Sequence, residues 1–394
     1  MQDMFDISII GGCGHVGFPL GLSFAKAGFS VGLLDVNQKA IDQINQGQVP
    51  FKEEGAEALL KEILPKKKLT CTNDPKILLK SKCVILVTGT PLDEYLNPKL
   101  NAITKVIEEY LPYFKDGQLI ILRSTIYPKT SQKIDQYFKS KNLNVHLTFC
   151  PERVTEGYAL SEIKNIPQIV SGFSPEGIER ASALFSKITK KIIHMQPLEA
   201  ELVKLFSNAY RYIHFGISNQ FYMLAEEHGV DFGNIYHAMT DEYPRMKGFP
   251  RPGFTAGPCL LKDTMQLCSF SQDHFHLGHA ARLVNEHMPI HLVNQMKSKI
   301  SLEDKTVGIL GMTFKPESDD PRESLSYKLK HLLEMEAKHV LCSDEYMKHE
   351  NFCSKENLIE SSDVIVIGTP HEAYQTLDFK NLPVFSVWLQ PSCS

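Results

Sequence analysis

Residues 6 to 10, Asp-Ile-Ser-Ile-Ile, read as a short buried strand. Gly12-Cys-Gly14-His15-Val16-Gly17 follows directly and runs into the helical pattern Pro19-Leu-Gly-Leu-Ser-Phe-Ala-Lys-Ala with a closing Gly28. Strand, glycine loop and helix in that order leave few folds open. Gly12 allows the tight turn, Gly14 lets backbone approach a pyrophosphate, and Gly17 lets helix and strand pack closely. The glycine pattern alone is weak, but its context tightens it: the next strand, Ser30-Val-Gly-Leu-Leu, ends in Asp35, 18 residues after Gly17. An acid there is suited to accept hydrogen bonds from both ribose hydroxyls of a dinucleotide. It also repels a 2′-phosphate, so NAD is expected rather than NADP. The other use of Asp35 is as a helix cap or turn residue.

Strand and helix patterns then alternate. Cys83 to Leu86 leads to Thr90-Pro91, a helix follows near 101 to 111, Gln118 to Leu122 leads to Ser124-Thr125, and a strand near Val145 to Phe149 leads to Cys150-Pro-Glu152-Arg153-Val154-Thr-Glu156. Such alternation predicts a parallel sheet, and in open parallel sheets ligands gather beyond the carboxyl ends of the strands, where these three segments fall. Each is also an ordinary turn sequence. Two further strands, Gln168 to Gly172 and Lys191 to Met195, precede Gln196-Pro197.

From Leu198 to about His228 there is no proline and one internal glycine, Gly216, and the pattern predicts a helix of about 30 residues, roughly 45 Å long. Lys204 and Asn208 stand at i,i+4 on it, either as a solvated pair or as two polar groups aimed into a cleft. A short helix, Asn234 to Met239, leads through the loop 241–251, which holds Arg245, to Arg251-Pro-Gly-Phe254-Thr-Ala-Gly257-Pro-Cys259-Leu-Leu-Lys-Asp263. A helix starting after Pro258 would favour the Cys259 thiolate and bring Asp263 onto the same face, nucleophile and base together. Taken alone, a cysteine is more often a small buried hydrophobe. Residues 264 to about 300 read as helical; His274, His276, His279 and His287 within them match no fixed ligand template, so no metal is expected.

Lys305 to Leu310 opens a second strand-loop-helix unit with Phe314-Lys315, Arg322 and a helix from Leu325 to Glu334. Its later strand Asp363 to Ile367 repeats the run into Thr-Pro seen at residues 84 to 91. The expected fold is therefore α/β: two Rossmann-like doubly wound domains, residues 1–196 and 301–394, joined by a central helical domain, 197–300, with one long helix. At 394 residues the chain has room for several cores. Its formal net charge of -4 argues against a general binder of nucleic acid or membrane surfaces. No apolar run approaches the roughly 18 residues that span a bilayer. Nine scattered cysteines, none spaced as CxxC, suggest reduced thiols, and a cytoplasmic protein is expected.

In order along the chain, Gly12 to Gly17, Ser124-Thr125, Pro151-Glu152 with Glu156-Gly157, Lys204 with Asn208, Cys259 with Lys262-Asp263, and Phe314-Lys315 with Asp320-Pro-Arg322-Glu-Ser resemble the UDP-glucose/GDP-mannose dehydrogenases over nearly the whole chain. The resemblance implies a four-electron oxidation of a sugar C6 alcohol to a carboxylate with two NAD molecules in turn. It implies Cys259 as nucleophile, Lys204 stabilising the oxyanion, Asn208 positioning water or that oxygen, and Asp263 handling protons. Glu152 and Glu156 become candidates for water activation and substrate positioning, and Thr125 is placed near the nicotinamide. His15, Val16, Thr90, Pro91, Ser124 and Arg322 fall on the cofactor side. Arg153, Val154, Arg245, Phe254, Gly257, Phe314 and Lys315 fall on the UDP-sugar side.

A homodimer or an assembly of dimers on the long helix is implied as well. Pro151-Glu-Arg-Val is similar to the UDP-N-acetylhexosamine branch, with UDP-glucose as the alternative substrate. Ala256-Gly257-Pro258 departs from the Gly-Gly pair usual before the cysteine, and the ending from Val384 departs from the family's Asp-Xaa-Trp-Asn type. The rival readings are a single-hydride Rossmann dehydrogenase and a non-enzymatic NAD-binding redox protein.

Overall fold

Strands that are apolar on both faces must be covered twice, and those of the N-terminal sheet are. In a computed structural model, which describes residues 5–96 and 98–388, β1 (Phe5–Ile10), β2 (Val31–Leu34), β3 (Leu69–Thr72), β4 (Ser81–Leu86), β5 (Leu119–Leu122), β6 (His146–Phe149), β7 (Gln168–Gly172) and β8 (Ile192–His194) form one sheet in the order β3-β2-β1-β4-β5-β6-β7-β8. Ile7, Ile9, Leu33, Ile85 and Ile121 belong to the core on one face. Their neighbours Ile10, Leu34, Leu86, Ile120 and Leu122 belong to the core on the other, as the two-residue period of a strand requires. The order reverses between β1 and β4, the switch point at which a doubly wound sheet opens its crevice.

The strands β1 to β6 pair in parallel as expected, whereas β7, for which no direction was expected, runs antiparallel to β6, pairing Phe149 with Ser171. Alternation of strand with helix signals that a connection is long enough to cross a sheet; it does not fix the direction of return. Here the chain passes from β6 through the loop 150–158 and a helix of only seven residues, Ala159–Asn165, before turning back.

The described chain divides into two compact units, Met1–Phe206 and Ser207–Ser394. The helix Pro197–Glu227, 31 residues long, runs across that division. In the second unit Gly216 on this helix lies so close to Ala281 that an added Cβ would sit 3.3 Å from its Cα. The single helix expected over 264–300 is two, Leu260–Phe270 and His276–Lys299. Gln272 and Asp273 take left-handed φ of 53° and 63°, and the Asp273 amide closes back on the Cys268 carbonyl, which stops the first helix as a glycine would.

The second unit ends in a parallel four-stranded sheet, β10-β9-β11-β12, made of β9 (Thr306–Leu310), β10 (His339–Ser343), β11 (Val364–Ile367) and β12 (Val384–Ser386). The atypical C-terminal ending lies outside the described residues from 389 on. Among the described residues no helix is long and apolar enough to cross a membrane.

Candidate active site

At the switch point of the first sheet the glycines divide their work. Gly11 holds a left-handed φ of 77°, so the sharp turn falls one residue earlier than the sequence suggests. A side chain at Gly12 would meet Leu33 Cβ at 2.7 Å and Ile9 O at 2.8 Å, and one at Gly17 would meet Gly12 Cα at 2.8 Å. A Cβ on Gly14 would find only Gly11 O at 3.8 Å, which leaves room for a ligand's phosphates against bare backbone. Val16 occupies the N-cap of the helix Gly17–Lys26, and His15 stacks at 4.0 Å on Phe51. The Asp35 carboxylate accepts the Cys13 amide through Oδ2 (2.9 Å) and the Asn37 amide through Oδ1 (3.0 Å), so it shapes the glycine loop. Half-buried, each oxygen keeps acceptor capacity toward the crevice, and the site fits a dinucleotide with an unmodified ribose.

The strand ends after β4, β5 and β6 are tied to one another. Thr90 Oγ1 donates to the Thr125 carbonyl (2.6 Å), and the Glu152 amide to the Arg123 carbonyl (3.3 Å). Ser124 lies buried beside them. Glu152 is anchored from several sides: Oε2 pairs with the Arg123 guanidinium, and Oε1 accepts the Arg153 and Val154 amides at 2.7 and 3.0 Å. Arg123 itself is fully buried, donating also to Cys150 O and Gln168 Oε1 and lying 5.0 Å from the Phe185 ring centre. It was missed as a site residue, although a lone arginine closing an apolar strand is the signal that flags it.

Arg153 donates to the Pro167 carbonyl, and Val154 packs on the core. Both side chains are therefore committed inward. Glu156 is half-buried in the same loop, and the buried Glu53 accepts the Gly157 amide of that loop and the Leu160 amide of the helix after it at 3.0 Å each. Lys204 is half-buried on the long helix and forms no ion pair among the described residues.

In the second unit Cys259 is the exposed N-cap of the helix Leu260–Phe270, and the Asp263 amide donates to its carbonyl at 2.9 Å. Asp263 has no exposed surface; its oxygens accept Asn208 Nδ2 (2.6 Å) and Lys262 Nζ (2.7 Å). A fully buried carboxylate needs such partners, and here it has both, one helical turn along from Cys259.

The loop leading to Cys259 hangs on a buried amide chain. Asn219 accepts the Gly253 amide (2.9 Å) and donates to Asn285 (2.9 Å), which donates on to the Tyr212 carbonyl (3.1 Å); Ser218 donates to Pro250 O. Asn219 follows Asn208 by three helical turns, the spacing that reveals it. Phe254 is turned into the core against Trp388, and Arg245 is exposed over Tyr243. Gly257 has φ of 96°, and a Cβ there would overlap the Phe314 ring. Lys315 Nζ lies 5.6 Å from that ring's centre, and Arg322 forks onto the buried Asp320.

Family models match the chain in three consecutive parts: the UDP-glucose/GDP-mannose dehydrogenase NAD binding domain over residues 5–189, the central domain over 198–287, and the UDP binding domain over 308–386. The chain belongs to the UDP-glucose/GDP-mannose dehydrogenase family. It is an NAD-dependent nucleotide-sugar dehydrogenase.

Among its relatives, the UDP-N-acetyl-D-mannosamine dehydrogenases of Methanocaldococcus jannaschii and Pyrococcus horikoshii are 30% and 29% identical. Each alignment spans 94% of this chain, with 87% and 91% of the respective relative covered. The solved structure of the UDP-D-ManNAc dehydrogenase from Pyrococcus horikoshii superposes with a TM-score of 0.89 at 28% identity, covering 98% of this chain and 96% of that one.

Proposed function

We propose that the substrate is a UDP-N-acetylhexosamine, with UDP-N-acetylmannosamine first, and that its C6 alcohol is oxidised to a carboxylate through a thioester on Cys259. The observation that supports this is the exposed thiol at a helix N-cap with buried Asp263, clamped by Asn208 and Lys262, one turn behind it. NAD, when bound, accepts the hydride in each of two rounds. After the first, C6 is an aldehyde, and the Cys259 thiolate adds to its carbon to give a thiohemiacetal. Loss of the second hydride leaves a thioester; water then adds, the C–S bond breaks, and the carboxylate departs with the thiol restored.

Lys204 and Asn208 stabilise the oxygen at C6 as it gains charge, and Asp263 takes and returns protons, directly or through water. Glu156 and Thr125 are assigned to water and substrate positioning. Glu152, held by Arg123 and two amides, organises its loop and through it the substrate. Phe314 and Lys315 receive the nucleotide diphosphate, with Gly257 giving the Phe314 ring its place; Arg245 reaches the sugar or a phosphate, and Arg322 lies on the cofactor side. The domain division this implies is 1–196, 197–300 and 301–394.

The exposed apolar residues Tyr210, Ile217, Phe221 and Leu224 on the long helix support a homodimer; the proposed setting is the cytoplasm, in polysaccharide precursor synthesis. A panel of UDP-N-acetylmannosamine, UDP-N-acetylglucosamine, UDP-N-acetylgalactosamine, UDP-glucose and GDP-mannose tests the reading. Two NADH per sugar are expected, fastest with the first; one NADH per sugar, or no reduction with any of them, refutes it.

A further inference from the structure

The C-terminal sheet holds a buried histidine that no step above uses. His371, 1% exposed, follows β11 by way of Gly368-Thr369-Pro370. Its Nδ1 receives the backbone N–H of Glu317 at 3.0 Å. A backbone amide can only donate, so Nδ1 carries a lone pair and the ring proton resides on Nε2. Nε2 lies 3.2 Å from Asp344 Oδ2, and also 3.2 Å from Thr313 Oγ1, so the ring is neutral and donates. Tyr346 and Tyr374 wall it in edge-on at 5.0 and 5.3 Å between ring centres.

Asp344, in turn, accepts the Met312 and Thr313 amides at 2.6 and 3.2 Å. Both ends of the segment 312–317 are therefore fastened to one His–Asp pair. Glu317 is held at φ of 57°, a left-handed conformation that a glutamate adopts only when its surroundings impose it. Between the two fastenings stand Phe314 and Lys315.

The N-terminal sheet has the same device without the histidine. Asp35 ends the second strand of its sheet as Asp344 follows β10, and it accepts the Cys13 amide two residues after left-handed Gly11, as Asp344 accepts Met312 and Thr313 after left-handed Gly311. Gly89-Thr90-Pro91 parallels Gly368-Thr369-Pro370, but Leu92 stands where His371 does. Asp35 stays half-open for a ribose, whereas the Asp344 side chain is fully buried beneath His371.

We propose that His371, as the neutral Nε2–H tautomer, is a positioning residue for nucleotide-sugar binding: it fixes the backbone of 312–317 in the shape that presents Phe314 and Lys315 to the diphosphate. This rests on the nucleotide-binding reading of that loop. Three variants of the full chain separate its two arms. His371→Ala removes both; His371→Asn keeps an acceptor where Nδ1 was; His371→Gln keeps a donor toward Asp344 but no acceptor for Glu317.

Calorimetric titration with UDP should show affinity weakened about tenfold in the alanine and glutamine variants and largely restored in the asparagine variant, with NAD affinity unchanged in all three. The ¹⁵N spectrum of the histidine rings should show the Nε2–H form for His371 in the wild type. An Nδ1–H or charged ring, or three variants that bind UDP alike, overturns the proposal while leaving the nucleotide reading intact. Wild-type protein that binds no UDP removes both.

Discussion

Glu152→Gln separates two roles for a residue whose sequence context allows catalysis and whose surroundings bespeak architecture. The glutamine keeps an oxygen for the Arg153 and Val154 amides but turns an NH2 toward Arg123, placing donor against donor beside a guanidinium whose side chain is 1% exposed. Arg123 would retain the Cys150 carbonyl and Gln168, both uncharged, and the face of Phe185. Leaving one member of a buried pair uncompensated costs about 3–5 kcal/mol; with Glu152 12% exposed, about 3 kcal/mol is the fitting figure. For a unit of about 200 residues that is a fall of roughly 6–12 °C in its midpoint.

The only tryptophan, Trp388, lies in the other compact unit, so its fluorescence will miss the effect. The N-terminal transition must be followed by urea unfolding read through NAD binding or circular dichroism. Arg123→Met combined with Glu152→Gln should recover a large part of the loss, because no charge is then stranded. If Glu152→Gln unfolds with the wild type yet loses turnover, the structural reasoning is wrong and Glu152 does chemistry.

Cys259→Ser should abolish carboxylate formation and the release of two NADH per sugar, checked by stoichiometric NADH measurement with the sugar product identified by mass. Asn219→Ala strips buried partners from the Gly253 amide and Asn285 and should cost about 2–4 kcal/mol in denaturant unfolding, read by Trp388, whose ring packs on Phe254. Asp35→Ala should weaken NAD binding at least tenfold and narrow the preference for NAD over NADP, measured by titration of both cofactors. Burial raises the Asp344 carboxyl, but the hydrogen bonds from His371 and the Met312 amide outweigh it and hold the group below the ordinary aspartate range. Its stabilising effect is then present above about pH 4 and lost as pH falls through the folded value, so Asp344→Asn should flatten the acid limb of C-terminal unfolding.

Short-range features were legible in the chain. The glycine loop, Asp35 and the uninterrupted run from Leu198 announce themselves because turn geometry, a strand end and helical continuity are set by neighbours. What escaped depends on distance along the chain. Arg123 gains meaning only when Glu152 and Gln168, 29 and 45 residues away, are brought against it, and the return of β7 against β6 depends on how a loop folds. The stop at Gln272-Asp273 was hidden because neither residue is a glycine or proline. Phe254 sits in the loop preceding the proposed nucleophile but is taken by the core, a choice made by Trp388, 134 positions on.

The amide chain from Tyr212 through Asn285 and Asn219 to Gly253 also bears on how such enzymes can be re-engineered. A segment such as 250–258 invites transplantation between relatives as a self-contained cassette for changing the sugar. Its Pro250 carbonyl and Gly253 amide, however, are held from two helices outside it, by Ser218 and by Asn219 with Asn285. A graft that exchanges the loop without those three positions imports the letters of a new specificity without its shape, so the unit to move is the loop together with its helical anchors.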